Sequence, residues 1–219
     1  MPKLLDALNI KGHIVTLDAM GTQRDIAALI RKKRADYVLA LKGNQGSLFR
    51  DVKVFFADSE VLAKCAYHKT TQKARGGFEV REYWQSDLVG WWLPQKKLWK
   101  GLRSVAMTRN TLTKKDGSVV VQDRYFISSL SLNVKEVSRA IRGHWLVESY
   151  HWHLDVTFRE DRDRTLDKHV TFNLNIMRKS ALNLLRLLDM GRVGVVSLRK
   201  RRYILCCSPI KYLEQILTV

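Results

Sequence analysis

Long apolar runs are missing from this sequence, and so is most of the acid that would balance its bases. No stretch approaches the roughly 20 apolar residues a helix needs to cross a bilayer. The opening MPKLLDALNIKG has neither the apolar segment nor the small-residue cleavage site of a signal peptide, so the cytoplasm is the expected compartment. Cysteine is scarce: Cys65 and the adjacent Cys206 and Cys207 are an odd set without CxxC spacing. That pattern supports neither a disulfide framework nor a zinc knuckle, and the three are read as reduced packing residues. Against 39 Lys+Arg stand only 21 Asp+Glu, a formal net charge of +18. A surplus of this size repels itself unless a polyanion neutralises it, which makes nucleic acid the first partner to consider and an anionic membrane surface the second. There is no internal repeat and no low-complexity segment. What is present is 46% hydrophobic residues in a chain of 219, enough for one large domain or two small ones with a real core.

The pattern along the chain alternates before it turns uniform. HIVTLD (13–18) is a short β-branched run, QRDIAALIRKKR carries Ile26, Leu29 and Ile30 at helical spacing, and YVLALKGN is a second apolar run. Strand, helix, strand is a βαβ unit, which implies a parallel sheet. Thr22 with Asp25 three residues later predicts a capping box at the start of the helix. Asp18 then falls at the carboxyl end of a strand, where open α/β sheets place their chemistry. A helix is expected through LFRDVKVFFADSEVLAK, then a basic loop, HKTTQKARGG. FEVREYW, LRSVAMTRNTL and SVVVQDRYFISSL read as an antiparallel insertion, with KKDG as the hairpin turn of the last two. Helical spacing returns from about 134 to 158 and again from about 171 to 188. A basic tail from Arg192 ends in the short helix SPIKYLEQIL.

The segment IRGHWLVESYHWHLDVTFRED (141–161) sets a problem. At 100° per residue Ile141, Trp145, Glu148, Trp152 and Asp155 share one stripe, which would normally face the core. A carboxylate buried there needs a partner. Asp18 and Glu148 are the residue types that hold Mg²⁺ beside a substrate phosphate, and two such ions can drive phosphoryl transfer. The plainer alternatives are a turn or capping role for Asp18 and an ion pair with Arg142 for Glu148. His144, Glu148, His151 and Asp155 also share a side and raise a zinc-dependent hydrolase, although four ligands from successive turns of one straight helix cannot converge on one ion. The basic runs Arg31 to Arg34 and Arg199 to Arg202 are either solvated helix faces or phosphate contacts.

Several stretches together resemble one family. TLDAMGTQ (16–23), ADYVLALKGNQG (35–46), RYFISSL (124–130), IRGHWLVESYHWHLDVTFREDRDR (141–164) and ALNLLR (181–186) occur in the order found in insertion-sequence transposases of the H-repeat-associated (ISAs) group, within the DDE transposases. The resemblance implies an RNase H-like α/β catalytic core whose three acidic residues bind two Mg²⁺ or Mn²⁺ ions and cleave and join DNA at transposon ends. Asp18 looks like the family's second aspartate and Glu148 like its glutamate, both as catalytic and metal-binding residues. Lys42, Arg142, Arg199, Lys200, Arg201 and Arg202 are the expected DNA contacts. Double-stranded DNA with terminal inverted repeats is the implied partner, a homodimer the assembly to test, and the bacterial nucleoid the implied location.

The sequence also departs from the family. The Tyr-Arg-Glu-Lys signature around the glutamate falls on Ile141, His144 and Asp155, so those DNA-contact roles do not carry over. In the His-Gly-Arg-x-Glu-x-Arg stretch, Glu79 and Arg81 are kept, but Arg75 and Gly77 stand at the histidine and first arginine positions. No aspartate matches the family's first: Asp6 lies in a helical pattern, Asp25 opens a helix and Asp36 precedes a strand. The expectation is therefore a core truncated at its amino end: residues 1–44 a partial RNase H-like core, 45–132 the antiparallel insertion, 133–190 the core helices and 191–219 a basic tail. Lacking one ligand, such a copy is expected to be inactive, with a non-catalytic DNA-binding remnant as the alternative.

Overall fold

The β-branched runs of the first part of the chain come together in a single sheet. In the computed structural model, which describes residues 2–74, 77–90, 92–188 and 196–217, strands β1 (Ile14–Leu17) and β2 (Asp36–Leu41) run parallel, with Ile14 opposite Asp36 and Leu17 opposite Leu39. A short helix α1 (Pro2–Ala7) precedes them. Helix α2 (Arg24–Lys32) joins them and buries Ile26, Ala27 and Ile30, as their spacing predicts. The expected capping box does not form, for Gln23 is the N-cap and no side chain bonds the first turn. Instead the buried Thr22 hydroxyl lies 3.0 Å from the carbonyl of Asp18 and 2.7 Å from that of Ala40. A buried hydroxyl takes the acceptors within reach, and here those are strand-end carbonyls.

Four antiparallel strands extend the same sheet: β3 (Ala66–Ala74), β4 (Gly77–Ser86), β5 (Ser104–Lys114) and β6 (Val119–Ser128), in the order β1-β2-β6-β5-β4-β3. β6 pairs with β2, Val38 opposite Ser128, so β2 is covered on both edges and β1 forms one edge of the sheet. The KKDG hairpin is as expected. Gly117 takes a left-handed φ of +82°, and the Asp116 carboxylate accepts from the Ser118 amide and hydroxyl at 2.9 and 2.7 Å.

After Asp36, β2 is apolar because it is buried on both faces. Its alternation sends Tyr37, Leu39 and Leu41 to one face, where they pack with Ile30, Val52, Phe56, Val105, Met107 and Ile127. Val38 goes to the other, against Ala106, Phe126, Val137 and Ile141. Each such side chain contributes about 1.5–3 kcal/mol on leaving water. Val137 and Ile141 belong to α5 (Val134–Trp152), which docks on this second face by its first half.

Several expectations need correcting. The helix expected over residues 48–64 is two, α3 (Ser47–Ala57) and α4 (Ser59–Lys64), because Asp58 is extended and its carboxylate accepts from the amides of Glu60 and Val61. The basic loop HKTTQKARGG is largely strand β3, held to β4 by cross-strand bonds such as Tyr67 to Glu82 at 2.7 Å and Gln72 to Glu79 at 2.8 Å; its Arg75 and Gly76 lie outside the described residues. Gly77 opens β4 where the family pattern has arginine. A Cβ there would stand 1.8 Å from the Thr113 carbonyl oxygen, so the strand pairing leaves no room for a side chain. Cys206 and Cys207 are exposed rather than packed, and only Cys65 is half-buried.

Two compact units divide the chain, Met1–His144 and Trp145–Val219. The second is helical. α5 runs into a π-helical turn, His153–Thr157, and the chain reverses at Arg159, whose φ is +56°. Next comes α6 (Lys168–Leu187), capped by the Asp167 carboxylate on the amides of His169 and Val170 and starting three residues before the expected position. Helices α7 (Leu198–Cys207) and α8 (Pro209–Leu217) follow, with Leu185, Leu188 and Tyr212 buried together. Arg192, where the basic tail was read to begin, lies outside the described residues. Among the described residues no helix is long and apolar enough to cross a membrane.

Candidate active site

Asp18 stands one residue past the end of β1, exposed, at the head of a tight turn. Its Oδ1 accepts from the Gly21 amide at 3.1 Å, and its carbonyl accepts from the same amide. The turn role read as the plainer alternative is thus real, and it leaves the second carboxylate oxygen without a partner among the described residues. The turn is gripped from the residues that follow the neighbouring strand. After β2, Lys42 begins a 3₁₀ turn in which the Asn44 and Gln45 side-chain amides both donate to the Ala19 carbonyl at 2.8 Å, and Gln45 also reaches the Thr22 carbonyl at 3.3 Å. The Lys42 amide donates to Gln45 Oε1 at 2.8 Å and closes the turn on itself. These two positioning residues were not singled out from the sequence, although the KGNQ following an apolar strand was the signal.

Glu148 is exposed, as are Trp152 and Asp155, and Trp145 is half-buried; of the stripe read from helical spacing only Ile141 is buried. The buried residues of α5 are Val137, Ser138 and Ile141, so the angular pattern overstates how far burial extends along the helix. Neither Glu148 nor Asp155, both exposed, needs a buried counter-charge. Among the described residues Glu148 makes no ion pair with Arg142, nor Asp155 with Arg159. Arg142 is exposed and approaches the Tyr83 phenol, whose pKa is raised by burial and drawn back by Arg81 and Arg142.

The zinc reading fails. His144 Nδ1 lies 3.2 Å from the Thr16 hydroxyl, His151 is exposed, and among the described residues no three His, Cys, Asp or Glu side chains gather as a metal cluster. Carboxylates such as those of Asp18 and Glu148 are the donor type a hard cation takes, its shell completed by water and substrate phosphate.

The basic runs divide by role. Lys33 donates to the carbonyls of Asp6 and Leu8 at 2.7 and 2.8 Å and to that of Leu5, closing the end of α1. Arg31 bonds the Ala35 carbonyl and pairs with Asp36. In the second run Arg201 bonds the carbonyls of Leu185 and Leu188 at 3.0 and 3.1 Å, and Arg202 bonds that of Thr157 beside the Phe158 ring. Cations at helix carboxyl ends complement the helix dipole, so Arg201 and Arg202, also expected as DNA contacts, have a role in the fold. Arg199, Lys200 and Lys42 are exposed.

The family model described as "Transposase DDE domain" matches residues 1–184. "Putative transposase YncI" of Escherichia coli O157:H7 is 36% identical over 99% of this chain and 56% of its own length. "H repeat-associated putative transposase YhhI" of E. coli K12 is 33% identical over 84% of this chain and 50% of its own. "Putative protein YbfL" of the same strain is 34% identical over the same shares. The chain spans about half the length of these curated relatives.

Proposed function

Because the chain belongs to the transposase DDE domain family, we propose that Asp18 and Glu148 are two acids of an RNase H-like phosphoryl-transfer site acting on DNA. The observation that carries this reading is the exposed Asp18 carboxylate just past β1, held in its turn with one oxygen unpartnered among the described residues.

Asp18 and Glu148 would hold Mg²⁺ or Mn²⁺, with DNA phosphate completing the shell. Such an ion, when bound, supplies charge neutralisation for the attacking and leaving oxygens. The chain's own contribution is placement. Asn44, Gln45 and Thr22 fix the turn that presents the Asp18 carboxylate, and the free oxygen of that carboxylate is the one available to a cation. Exposure of both acids suits ligands that must meet a large substrate. With only two of the family's three acids assigned, Mn²⁺-dependent nicking by this chain is expected to be weak.

Electron paramagnetic titration of Mn²⁺ in the presence of duplex DNA tests the assignment. Bound Mn²⁺ should fall when Asp18→Asn or Glu148→Gln is introduced, and binding unchanged in both variants would overturn it. Robust nicking abolished by Glu148→Gln would support the two acids and overturn the weak activity. Salt-sensitive DNA binding indifferent to EDTA and to both variants would leave a DNA-binding protein without a metal site, the reading to which the net charge of +18 also lends itself.

A further inference from the structure

Residues 87–103, between β4 and β5, form a long connection that carries a 3₁₀ turn, Pro94–Leu98. It is pinned to the first unit along its length. Val89, Leu93, Trp99 and Leu102 are buried in the core, and Trp92 stacks on Phe55 with ring centres 4.2 Å apart and planes within 10°. The Gln95 amide donates to Ser47 and Asp51, both at 3.0 Å, and the Tyr37 hydroxyl to the Lys100 carbonyl at 3.2 Å. A backbone held this firmly presents its remaining side chains in fixed places.

Those side chains are cationic. The segment borders an open concavity of about 490 Å³ lined by Lys96, Lys97 and Lys100 together with Trp99, Leu93 and glycines, and no carboxylate is among the lining residues. Gly101, at φ +76°, admits the Arg31 side chain, which a Cβ would meet at 2.9 Å. The nearby acids are engaged, Asp36 by Arg31 and Ser129 and Asp51 by Gln95. None of the three lysine ammoniums has a hydrogen-bond or ion-pair partner among the described residues. Three unpaired ammoniums around one concavity concentrate positive potential that only an anion relieves.

We propose that this cavity is a phosphate-binding site for the backbone of duplex DNA, separate from the acids of the proposed reaction. It lies by the start of β2, whereas Asp18 and Lys42 lie at the strand ends, roughly 13 Å farther along at about 3.3 Å per residue. A duplex advancing 3.4 Å per base pair covers that distance in about four base pairs, so one DNA molecule can engage both ends of the sheet. The contact is to phosphate rather than to bases, because lysine ammoniums read charge and carry no sequence code. The choice of DNA over another phosphate source rests on the function proposed above.

The test compares the full chain with the Lys96→Gln, Lys97→Gln, Lys100→Gln triple variant. Duplex binding is followed by fluorescence anisotropy across a salt series, and circular dichroism melting confirms that the variant folds; the three single variants serve if the triple does not. The wild type should lose affinity steeply with salt, and the triple variant's log–log slope should be shallower by about 0.9 for each phosphate it no longer neutralises, up to about 2.7. Lysine-to-arginine replacements should restore the slope. A wild type that binds DNA with a slope the triple variant leaves unchanged would overturn this site alone. A wild type that does not bind DNA at all would overturn both this site and the proposed function. Calorimetric titration with inorganic phosphate supplies the other arm: saturable binding abolished in the triple variant, with DNA binding unaffected, would mark a free-anion site and overturn the assignment to DNA.

Discussion

The two units of the chain are built on unequal foundations. In Met1–His144 the six-stranded sheet has packed material on both faces, and Tyr37, Ile30, Leu39, Val105 and Ile127 are wholly excluded from water. In Trp145–Val219 the described buried cluster is Leu185, Leu188 and Tyr212, while Leu146, Leu166, Phe172, Met177 and Ile210 are more than half exposed. Helices that bury little depend on their ends. Capping by Asp167, Arg201 and Arg202 therefore holds a larger share of the second unit than capping holds of the first.

The largest effect that would sharpen this contrast is a cavity in the sheet. Leu39→Ala should cost about 2–5 kcal/mol in urea unfolding, and a loss below about 1 kcal/mol would show that the central strands are not the stable part. Next comes Gln85→Leu. This buried amide donates to Ser104 and the Ser131 carbonyl and accepts from the Asn133 amide at 2.8 Å, where α5 begins. Its removal strands buried polar groups and should cost about 1–3 kcal/mol. Arg201→Ala should be milder, about 1 kcal/mol from the end of α6, and should speed hydrogen exchange in α6 and α7 while leaving β2, β5 and β6 untouched. Exchange that accelerates across the sheet would mean the two units melt as one.

The smallest effect is one of pH. Burial first, and Arg186 second, hold the His153 imidazole below its ordinary pKa. The unfolded chain thus takes up a proton more readily than the folded one as pH falls through the ordinary imidazole value. Stability from this group is complete above that value and is lost below it. The second unit should melt at a lower temperature at pH 5 than at pH 7.5, and His153→Gln should flatten that difference in thermal scans.

Sequence patterning located the βαβ unit, the hairpin at Gly117 and the placement of Asp18 at a strand end, because alternation and turn chemistry are local. It went astray where a distant partner decides. HKTTQKARGG looked like a loop until β4 gave its backbone a ladder. The stripe through Glu148 looked buried because spacing along a helix does not say how far along it burial extends. The basic runs looked like one kind of surface, yet Lys33 and Arg201 close helix ends that only the fold brings to them. Asn44 and Gln45 showed no catalytic character because their task is to hold a turn.

That grip has its own consequence. With two side-chain amides fastened to the Ala19 carbonyl and a buried hydroxyl bridging the Asp18 and Ala40 carbonyls, the loop between β1 and α2 has little freedom left to surrender when something arrives. Any cation or backbone that meets the Asp18 carboxylate finds it already aimed, and the entropy of ordering has been settled at folding rather than at encounter.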